Sequence, residues 1–323
     1  LERAFTDVEK QEEPWVEDFK KDLLKGVVPL LSWRVEDVLQ ALLSLVGEQD
    51  IGLDIETKGL KPQAAGAKIL SIAVGTYDKT YVLPLDHRQT KWSKERRAEI
   101  DELLLDFLLN SGTKWCQNTK FEQEWLSFFY GNDILFKTSW GDTMAQAHVL
   151  DEREGKALED LTMIHFGFNL KKCHSVDVKN LDNEPLEDVL WYNGTDAKYT
   201  LPIALLQREW PEEQGLTAVY EMTNRRSPAL VLTQRRGLHV NQAEVRDWNK
   251  KLRRDIEKTE EKIRALPDVQ TWEKERGAKF RPSSTHDLAN LLHNQLKLPD
   301  GSTDETVLED LKHPIGKLEL QYR

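Results

Sequence analysis

Two acidic residues two positions apart are the first candidates for chemistry in this chain. Asp54 and Glu56 lie in the run Ile51-Gly-Leu-Asp-Ile-Glu56, whose apolar and β-branched residues predict a strand. Side chains two apart point to the same face of a strand, so the two carboxylates share one face. Like charges at that separation repel each other unless a positive group lies between them. A divalent cation is the simplest such group; a chance pair of acids where the strand runs into a polar turn is the alternative.

Two later segments add residues of the same chemistry. Glu122 follows the short strand-like segment Lys114-Trp-Cys116 and falls in the first turns of a predicted helix. Tyr192 and Asp196 are four residues apart in another predicted helix, which puts the phenol and the carboxylate on one face. Oxygen ligands of this kind suit Mg²⁺ or Mn²⁺. Such a set could support two-metal phosphoryl transfer, in which one ion activates water and both neutralise charge on the phosphate.

The elements around these residues predict an α/β fold. Strands are expected over residues 51–55, 68–76 and 80–85, joined by turns into an antiparallel meander, with a further short strand at 114–116. Helices are expected over residues 35–46, 93–110, 119–130, 141–150, 156–166 and 186–208. The sequence therefore predicts a mixed sheet flanked by helices.

The composition changes near Trp210-Pro211, and no convincing strand follows. Residues 212–236 and 242–266 carry long helical patterns, separated at Gly237, which supplies a C-terminal stop signal. These patterns predict three parts. A helical lead-in covers 1–30, an α/β domain covers 31–211, and an all-helical segment covers 212–323.

Charge and cysteine content restrict the class of protein. The 323 residues carry a net charge of −11, so bulk charge does not make this a general binder of polyanions. Nucleic acid would need a local basic surface or bridging metal ions. Cys116 and Cys173 provide neither a disulfide framework nor a zinc site, which suits a reducing, intracellular compartment. No apolar run approaches the length that crosses a bilayer, so no membrane partner is expected.

The acidic motifs, taken in order, resemble those of the DEDDy 3′→5′ exonucleases. Asp54-x-Glu56, Asn118-x-x-x-Glu122 and Tyr192-x-x-x-Asp196 occur in the same sequence and on matching predicted elements. Asp142-Thr-Met144 before a helix is similar to the proofreading domain of family A DNA polymerases, the relatives of bacterial DNA polymerase I. This resemblance implies a ribonuclease H-like (DnaQ-like) exonuclease fold. The helical segment 212–323 resembles the base of the polymerase thumb.

The resemblance implies a role for each acid and for the tyrosine. Asp54 would bridge two divalent cations, Mg²⁺ or Mn²⁺, and Glu56 and Asp196 would complete the site of the water-activating ion. Glu122 would hold the second ion through water. Tyr192 would orient the attacking water. The alternative for each is an ordinary solvated acid at the end of a strand or helix, or a half-buried tyrosine.

Four further residues are expected near the terminal nucleotide. Leu60 stands where the family often has an apolar residue against the terminal base, although a turn leucine tucked into the core would look the same. Thr57, Gln117 and Asn118 are the other expected contacts. Asn118 is also a good N-cap for the helix that follows it.

The resemblance implies an enzyme that removes nucleotides from DNA 3′ ends as the proofreading part of a polymerase. Its expected partners are a single-stranded 3′ end, primer-template DNA, and polymerase palm and fingers that would follow Arg323. An RNA-processing nuclease of the same superfamily is one alternative. A catalytically weakened domain, acting as a scaffold or DNA-binding part of a polymerase, is another, because most members carry Asp where this chain has Glu122. A basic run between Arg225 and Arg264 is either a phosphate-binding surface or a solvated helix face.

Overall fold

The computed structural model describes residues 21–173, 175–298 and 302–323. Most of the expected lead-in at 1–30 therefore lies outside the described residues; within it, residues 21–24 are helical and a short strand follows. The chain divides into two compact units, Leu1–Gly237 and Leu238–Arg323. Among the described helices, none combines the length and the apolarity needed to span a bilayer.

The first unit is built on a mixed sheet that has six strands in its described residues, in the order β1-β4-β3-β2-β5-β6. The strands are β1 (Val27–Pro29), β2 (Asp50–Lys58), β3 (Lys68–Gly75), β4 (Thr80–Pro84), β5 (Thr113–Cys116) and β6 (Trp140–Asp142). The antiparallel meander predicted from the sequence is β2, β3 and β4. β5 runs parallel to β2, and β6 runs parallel to β5, so these strands end at one edge of the sheet.

Helices cover this sheet close to the positions expected from the sequence. They are α1 (Val35–Leu43), α2 (Lys94–Asn110), α3 (Lys120–Tyr130), α4 (Asp133–Lys137), α5 (Thr143–Leu150), α6 (Leu158–Phe166), α7 (Leu186–Gln207), α8 (Trp210–Glu213), α9 (Thr217–Arg225) and α10 (Ser227–Arg236). The prediction of one long helix over 212–236 is wrong. Gly215, with φ of 69°, and Pro228, in the first turn of α10, interrupt it.

Alternation along β2 sends its side chains to two different environments. Ile51, Leu53 and Ile55 are buried in the main apolar core together with residues of α1 and α2. Gly52, Asp54 and Glu56 share the other face, which α7 covers. A Cβ added to Gly52 would lie 2.3 Å from the carbonyl oxygen of Ala197. Glycine at this position therefore lets α7 pack directly on the strand that carries the two acids.

The long helix α7 is fixed to the sheet at two points, one near its middle and one just beyond its C-terminal end. A Cβ on Gly194 would lie 2.3 Å from Val27 Cγ1 and 2.6 Å from Val82 Cγ2, so glycine is needed where α7 crosses β1 and β4. Just beyond the C-terminal end of the helix, Arg208 Nη2 lies 2.5 Å from Asp50 Oδ1 at the start of β2. These contacts set the height and rotation of α7 over β2.

The second unit is helical throughout its described residues, as expected. It comprises α11 (Gln242–Arg264), α12 (Pro267–Arg276), α13 (Thr285–Ala289), a π-helical turn (Asn290–Gln295), α14 (Glu305–Asp310) and α15 (Pro314–Tyr322). Its own apolar core holds Ile263, Trp272, Phe280 and Ile315, with the Trp272 and Phe280 rings in edge-to-face contact at 5.4 Å.

The division after Gly237 falls later than the boundary near 212 expected from composition. α10 packs on α3 of the first unit through polar contacts. Ser227 Oγ donates to Gln123 Oε1 at 2.7 Å, and Arg235 Nη1 donates to Asn132 Oδ1 at 2.8 Å. Residues 212–237 thus belong to the first unit by packing, while the functional boundary at 212 stays a prediction.

Candidate active site

Three of the expected acids converge where β2 meets α7. One carboxylate oxygen from each of Asp54, Glu56 and Asp196 lies within 4.8 Å of the other two. Asp54 and Glu56 come from one face of β2, and Asp196 comes from the helix that covers that face. The strand alternation and the helix spacing read from the sequence both hold in the structure. Such a group of oxygens can hold a hard divalent cation.

Glu122 lies near this group without belonging to it. It stands in the first turn of α3, and its side chain is buried. Burial and the charge of Asp54 raise the pKa of Glu122 well above its usual range. The fourth acid therefore interacts with Asp54 and Glu56 through charge, but it does not belong to the close triplet.

Burial raises the pKa of the three close acids, and the charge of Asp54 raises the pKa of Glu56 and Asp196 further. Burial raises the pKa of Asp54 to about 7, against a hydrogen bond from Asn193 that lowers it. Burial and the charge of Asp54 also hold the pKa of Glu56 and of Asp196 well above their usual range. The ionised forms repel one another, so positive charge placed among them would stabilise the site.

Unpartnered oxygens show that the donor set fits a divalent cation. Glu122 Oε2 and Asp196 Oδ1 are buried, and neither has a hydrogen-bond partner in the described part of the chain. A buried polar atom without a partner costs free energy that a metal ion can restore. The residues present here therefore suit a hard divalent cation.

Tyr192 lies beside Asp196, one turn earlier on α7, as its spacing predicted. The side chain is buried, and it hydrogen-bonds Asp196. Burial, followed by the charge of Asp196, raises the pKa of the phenol, which is therefore protonated at neutral pH. The single phenol proton is directed at Asp196, and the phenol oxygen can accept a hydrogen bond from a water molecule.

A groove of about 620 Å³ opens beside Glu56 and the loop that follows β2. Leu60, on its wall, is 82% exposed, which excludes the alternative of a turn leucine in the core. Thr57 also lines the groove, and its Oγ1 donates to the Gly59 carbonyl at 2.9 Å, which shapes the same loop. Phe121 forms part of the wall from α3. Contact of these residues with a nucleotide stays a prediction.

Gln117 has protein partners at both ends of its amide. Its Nε2 donates to the Lys156 carbonyl, and its Oε1 accepts from the Thr143 hydroxyl. These bonds hold the segment between β5 and α3 against the start of α5. A direct bond from this amide to a nucleotide would compete with them, so the expected nucleotide contact of Gln117 remains a prediction.

Asn118 does not cap α3, so the N-cap prediction is wrong. Its φ is 67°, and the residue at the N-cap position is Thr119. Asp142, at the end of β6, binds the backbone just before α3: its carboxylate oxygens lie 3.2 Å from Asn118 N and 3.0 Å from Thr119 N. The same carboxylate caps α5 by accepting from Ala145 N. A distant side chain thus fixes the turn that leads into α3, while Thr119 makes no side-chain capping bond to that helix.

Two other groups at the site have no local signal in the sequence. Asn193 Nδ2 donates to Asp54 Oδ2 at 2.6 Å. Lys171 supplies positive charge that lowers the pKa of Glu56 and of Asp196, and its Nζ lies 3.1 Å from Glu159 Oε2. Neither residue belongs to the spaced acidic motifs, and only the folded arrangement reveals them.

The comparisons with known proteins agree with this geometry. Residues 33–207 match the family of 3′–5′ exonuclease domains found in family A DNA polymerases. The chain belongs to this 3′–5′ exonuclease family. A curated relative, the DNA polymerase of Escherichia phage T5, is 28% identical over 213 residues. That match covers 56% of this chain and 25% of the relative, so the exonuclease chain spans about a quarter of the length of that polymerase.

Two solved structures are similar to this exonuclease. The catalytic core of RRP6 from Trypanosoma brucei has a TM-score of 0.51 at 15% identity, covering 92% of this chain and 79% of that one. NrnC from Brucella melitensis with bound Mg²⁺ has a TM-score of 0.46 at 16% identity, covering 64% and 89%. The RRP6 likeness and the family match confirm the ribonuclease H-like exonuclease fold and the class of enzyme predicted from the sequence.

Proposed function

We propose that this exonuclease removes nucleotides from the 3′ ends of DNA as the proofreading part of a family A DNA polymerase. The observation that carries the proposal is the triplet of Asp54, Glu56 and Asp196 oxygens, all within 4.8 Å, in a chain of the 3′–5′ exonuclease family. The relative from phage T5 is itself a DNA polymerase, which supports DNA as the substrate.

Two divalent cations, Mg²⁺ or Mn²⁺, complete the proposed site. Asp54 would lie between the two ions, Glu56 and Asp196 would complete the ligands of one, and Glu122 would serve the other. When bound, such ions supply the positive charge that an in-line phosphoryl displacement needs and make water a better nucleophile. The buried unpartnered oxygens of Glu122 and Asp196 support this assignment.

The protein side chains bind and orient the 3′ end in this proposal. The groove beside Glu56 is within the size range of roughly 300–1,000 Å³ that ligand sites commonly have. Leu60 and Phe121 offer apolar surface from its two walls to the terminal base. Tyr192, which keeps its proton and directs it to Asp196, can accept a hydrogen bond from the attacking water through its phenol oxygen and so hold that water in line.

The polymerase context of the chain is also a proposal. The second unit would be the base of a thumb that contacts primer-template DNA and continues toward palm and fingers. Lys250, Lys251, Arg253 and Arg254 are exposed on α11 and are available to phosphates, so such binding would weaken with salt. The free, buried Cys116 suits the reducing, intracellular setting of DNA replication.

Removal of Asp54 tests the proposed function. We expect Asp54→Ala to lower the rate of shortening of a 5′-labelled single-stranded DNA by on the order of a thousandfold or more. The label distinguishes 3′-end shortening from internal cleavage, because only the former gives a ladder of 5′-labelled products. Glu99→Ala, at an exposed acid on α2, is the matched control and should keep the wild-type rate.

The same assay separates the alternatives. An RNA strand of the same sequence, degraded faster than the DNA, would favour an RNA-processing nuclease. A wild-type protein that fails to shorten either strand with Mg²⁺ or Mn²⁺ would favour the weakened domain. If Asp54→Ala shortens single-stranded DNA at the wild-type rate, the assignment of the active site is wrong.

A further inference from the structure

We propose that Asn193, itself held by Ser71, is a positioning residue that fixes the carboxylate of Asp54 for cation binding. The inference rests on the proposed function, in which Asp54 is the acid shared by both ions. Neither Asn193 nor Ser71 belongs to the acidic motifs of the sequence. Both become apparent only where β2, β3 and α7 pack together.

A chain of two hydrogen bonds runs from β3 to the acid. Ser71 Oγ donates to Asn193 Oδ1 at 2.9 Å, and Asn193 Nδ2 donates to Asp54 Oδ2 at 2.6 Å. An ionised carboxylate only accepts hydrogen bonds, so the nitrogen of the amide must face Asp54. Its oxygen then faces Ser71, whose hydroxyl proton can point to it. Each of the two hydrogen bonds from Ser71 to Asp54 therefore has one donor and one acceptor.

The packing of β2, β3 and α7 leaves the side chains of Ser71 and Asn193 little freedom to move. Ser71 on β3 is paired with Glu56 on β2, which puts its side chain on the sheet face that α7 covers. Asn193 follows Tyr192 on α7, and both Asn193 and Ser71 are fully buried. The glycine contacts of Gly52 and Gly194 hold the helix close to the sheet here. The amide therefore cannot turn away to solvent.

The hydrogen bond assigns different tasks to the two oxygens of Asp54. Oδ2 is bound by the amide, so Oδ1 remains for the ions. A carboxylate held in one orientation loses less conformational freedom when it binds a cation. Partners behind a metal ligand typically change metal affinity or activity by about 10–100-fold when removed.

The experiment measures Mn²⁺ binding without nucleic acid, followed by nuclease kinetics. Asn193→Leu keeps a similar volume and removes the donor. We expect its dissociation constant for Mn²⁺, from calorimetry, to rise by about tenfold or more. We expect kcat on single-stranded DNA to fall by a similar factor at saturating Mn²⁺, with KM unchanged. Thr80→Val, which removes another buried hydroxyl whose bond goes to the Thr76 carbonyl, should change neither value.

Two further variants test whether the residue acts through Asp54. In the Asp54→Ala background, Asn193→Leu should have no additional effect on Mn²⁺ binding. Ser71→Ala leaves Asn193 in place but frees its carbonyl end, and we expect a smaller loss, severalfold, in the same direction. If circular dichroism shows that Asn193→Leu does not fold, the Mn²⁺ affinity of Ser71→Ala becomes the test. A wild-type Mn²⁺ affinity in Ser71→Ala would then overturn the inference.

The outcomes separate this inference from the proposed function. Wild-type Mn²⁺ binding and kcat in Asn193→Leu, together with their loss in Asp54→Ala, would overturn the role of Asn193 alone. Retention of both in Asp54→Ala would overturn the proposed function itself. Equal losses from Asn193→Leu with and without Asp54 would show a general structural role and overturn the inference.

Discussion

Lys61 Nζ lies 2.9 Å from Glu124 Oε2, and this ion pair ties the loop after β2 to helix α3. The Glu124 side chain is only 3% exposed, and Gln234 Nε2 on α10 donates to the same oxygen at 3.2 Å. Leu60 is the residue that directly precedes Lys61 in the loop. The groove wall is therefore held partly by α10, which lies beyond the residues matched by the family.

Loss of this ion pair should destabilise the first unit. Lys61→Met leaves the Glu124 carboxylate buried without its cation. Removing one partner of a fully buried pair costs about 3–5 kcal/mol, and because Lys61 is 44% exposed we expect a smaller loss of about 1–3 kcal/mol. Urea unfolding measures the free energy.

The control for this variant is an exposed pair. Lys137 Nζ lies 2.7 Å from Asp133 Oδ2, with the two side chains 64% and 63% exposed. Lys137→Met should cost less than about 0.5 kcal/mol. Equal losses from Lys61→Met and Lys137→Met would contradict the buried character of the Glu124 interaction.

Replacement of Leu60 should weaken substrate binding without changing the stability of the protein. This side chain is 82% exposed, so Leu60→Ala removes little buried surface and should change the unfolding free energy by less than about 0.5 kcal/mol. If the side chain packs on the terminal base, its loss should raise KM for single-stranded DNA by about tenfold, since each buried CH₂ is worth about 0.8 kcal/mol. Steady-state kinetics with a short oligonucleotide measures both constants.

Leu238, in the second unit, is 91% exposed and provides the matched control. Leu238→Ala should change neither stability nor KM for a short single strand. If Leu60→Ala also leaves KM unchanged, Leu60 does not contact the substrate. If it unfolds the protein, its exposure in the loop is contradicted.

Glu319 should make the second unit less stable as the pH rises. The side chain is fully buried in α15, both of its carboxylate oxygens lack a hydrogen-bond partner among the described residues, and burial raises its pKa to about 7. The folded pKa lies above the unfolded value, so the carboxyl is neutral in both states at low pH. Stability is then lost from about pH 4.5 upward through pH 7, by at most about 3 kcal/mol.

Glu319→Gln should remove this dependence. We expect the variant to be more stable than wild type at pH 8 and to show little change between pH 5 and pH 8, measured by urea unfolding of the full chain with a probe in the second unit. Glu309→Gln, at an exposed position on α14, should keep the wild-type pH dependence. A Glu319→Gln variant with the same pH dependence as wild type would refute the assignment.

The placement of a residue could be predicted from the sequence where it depends only on its neighbours along the chain. Asp54 and Glu56 share a strand face because alternation is a property of every strand, and Tyr192 and Asp196 share a helix face for the same kind of reason. The strands β1 and β6 were not expected. Each has three residues, too few to show an alternating pattern.

Residues whose role depends on distant partners could not be predicted. Asn118 carried a good capping signal, but in the structure Asp142, from another strand, binds the backbone N–H groups of Asn118 and Thr119 just before the helix. Asn193 is an unremarkable helical residue until β3 brings Ser71 to its carbonyl. The separation of Glu122 from the close triplet likewise depends on how far α3 lies from β2. That distance is set by packing, which a linear motif does not encode.

The anchoring of α7 to the sheet at two separate points limits how related sequences can diverge. One residue inserted between Asp196 and Arg208 would turn one end of the helix by about 100° and shift it by about 1.5 Å relative to the other. Either the acid would leave β2 or Arg208 would leave Asp50. Homologues with this site should therefore keep the interval between these two positions free of insertions and deletions. The exposed turn at residues 63–66 can vary in length without that penalty.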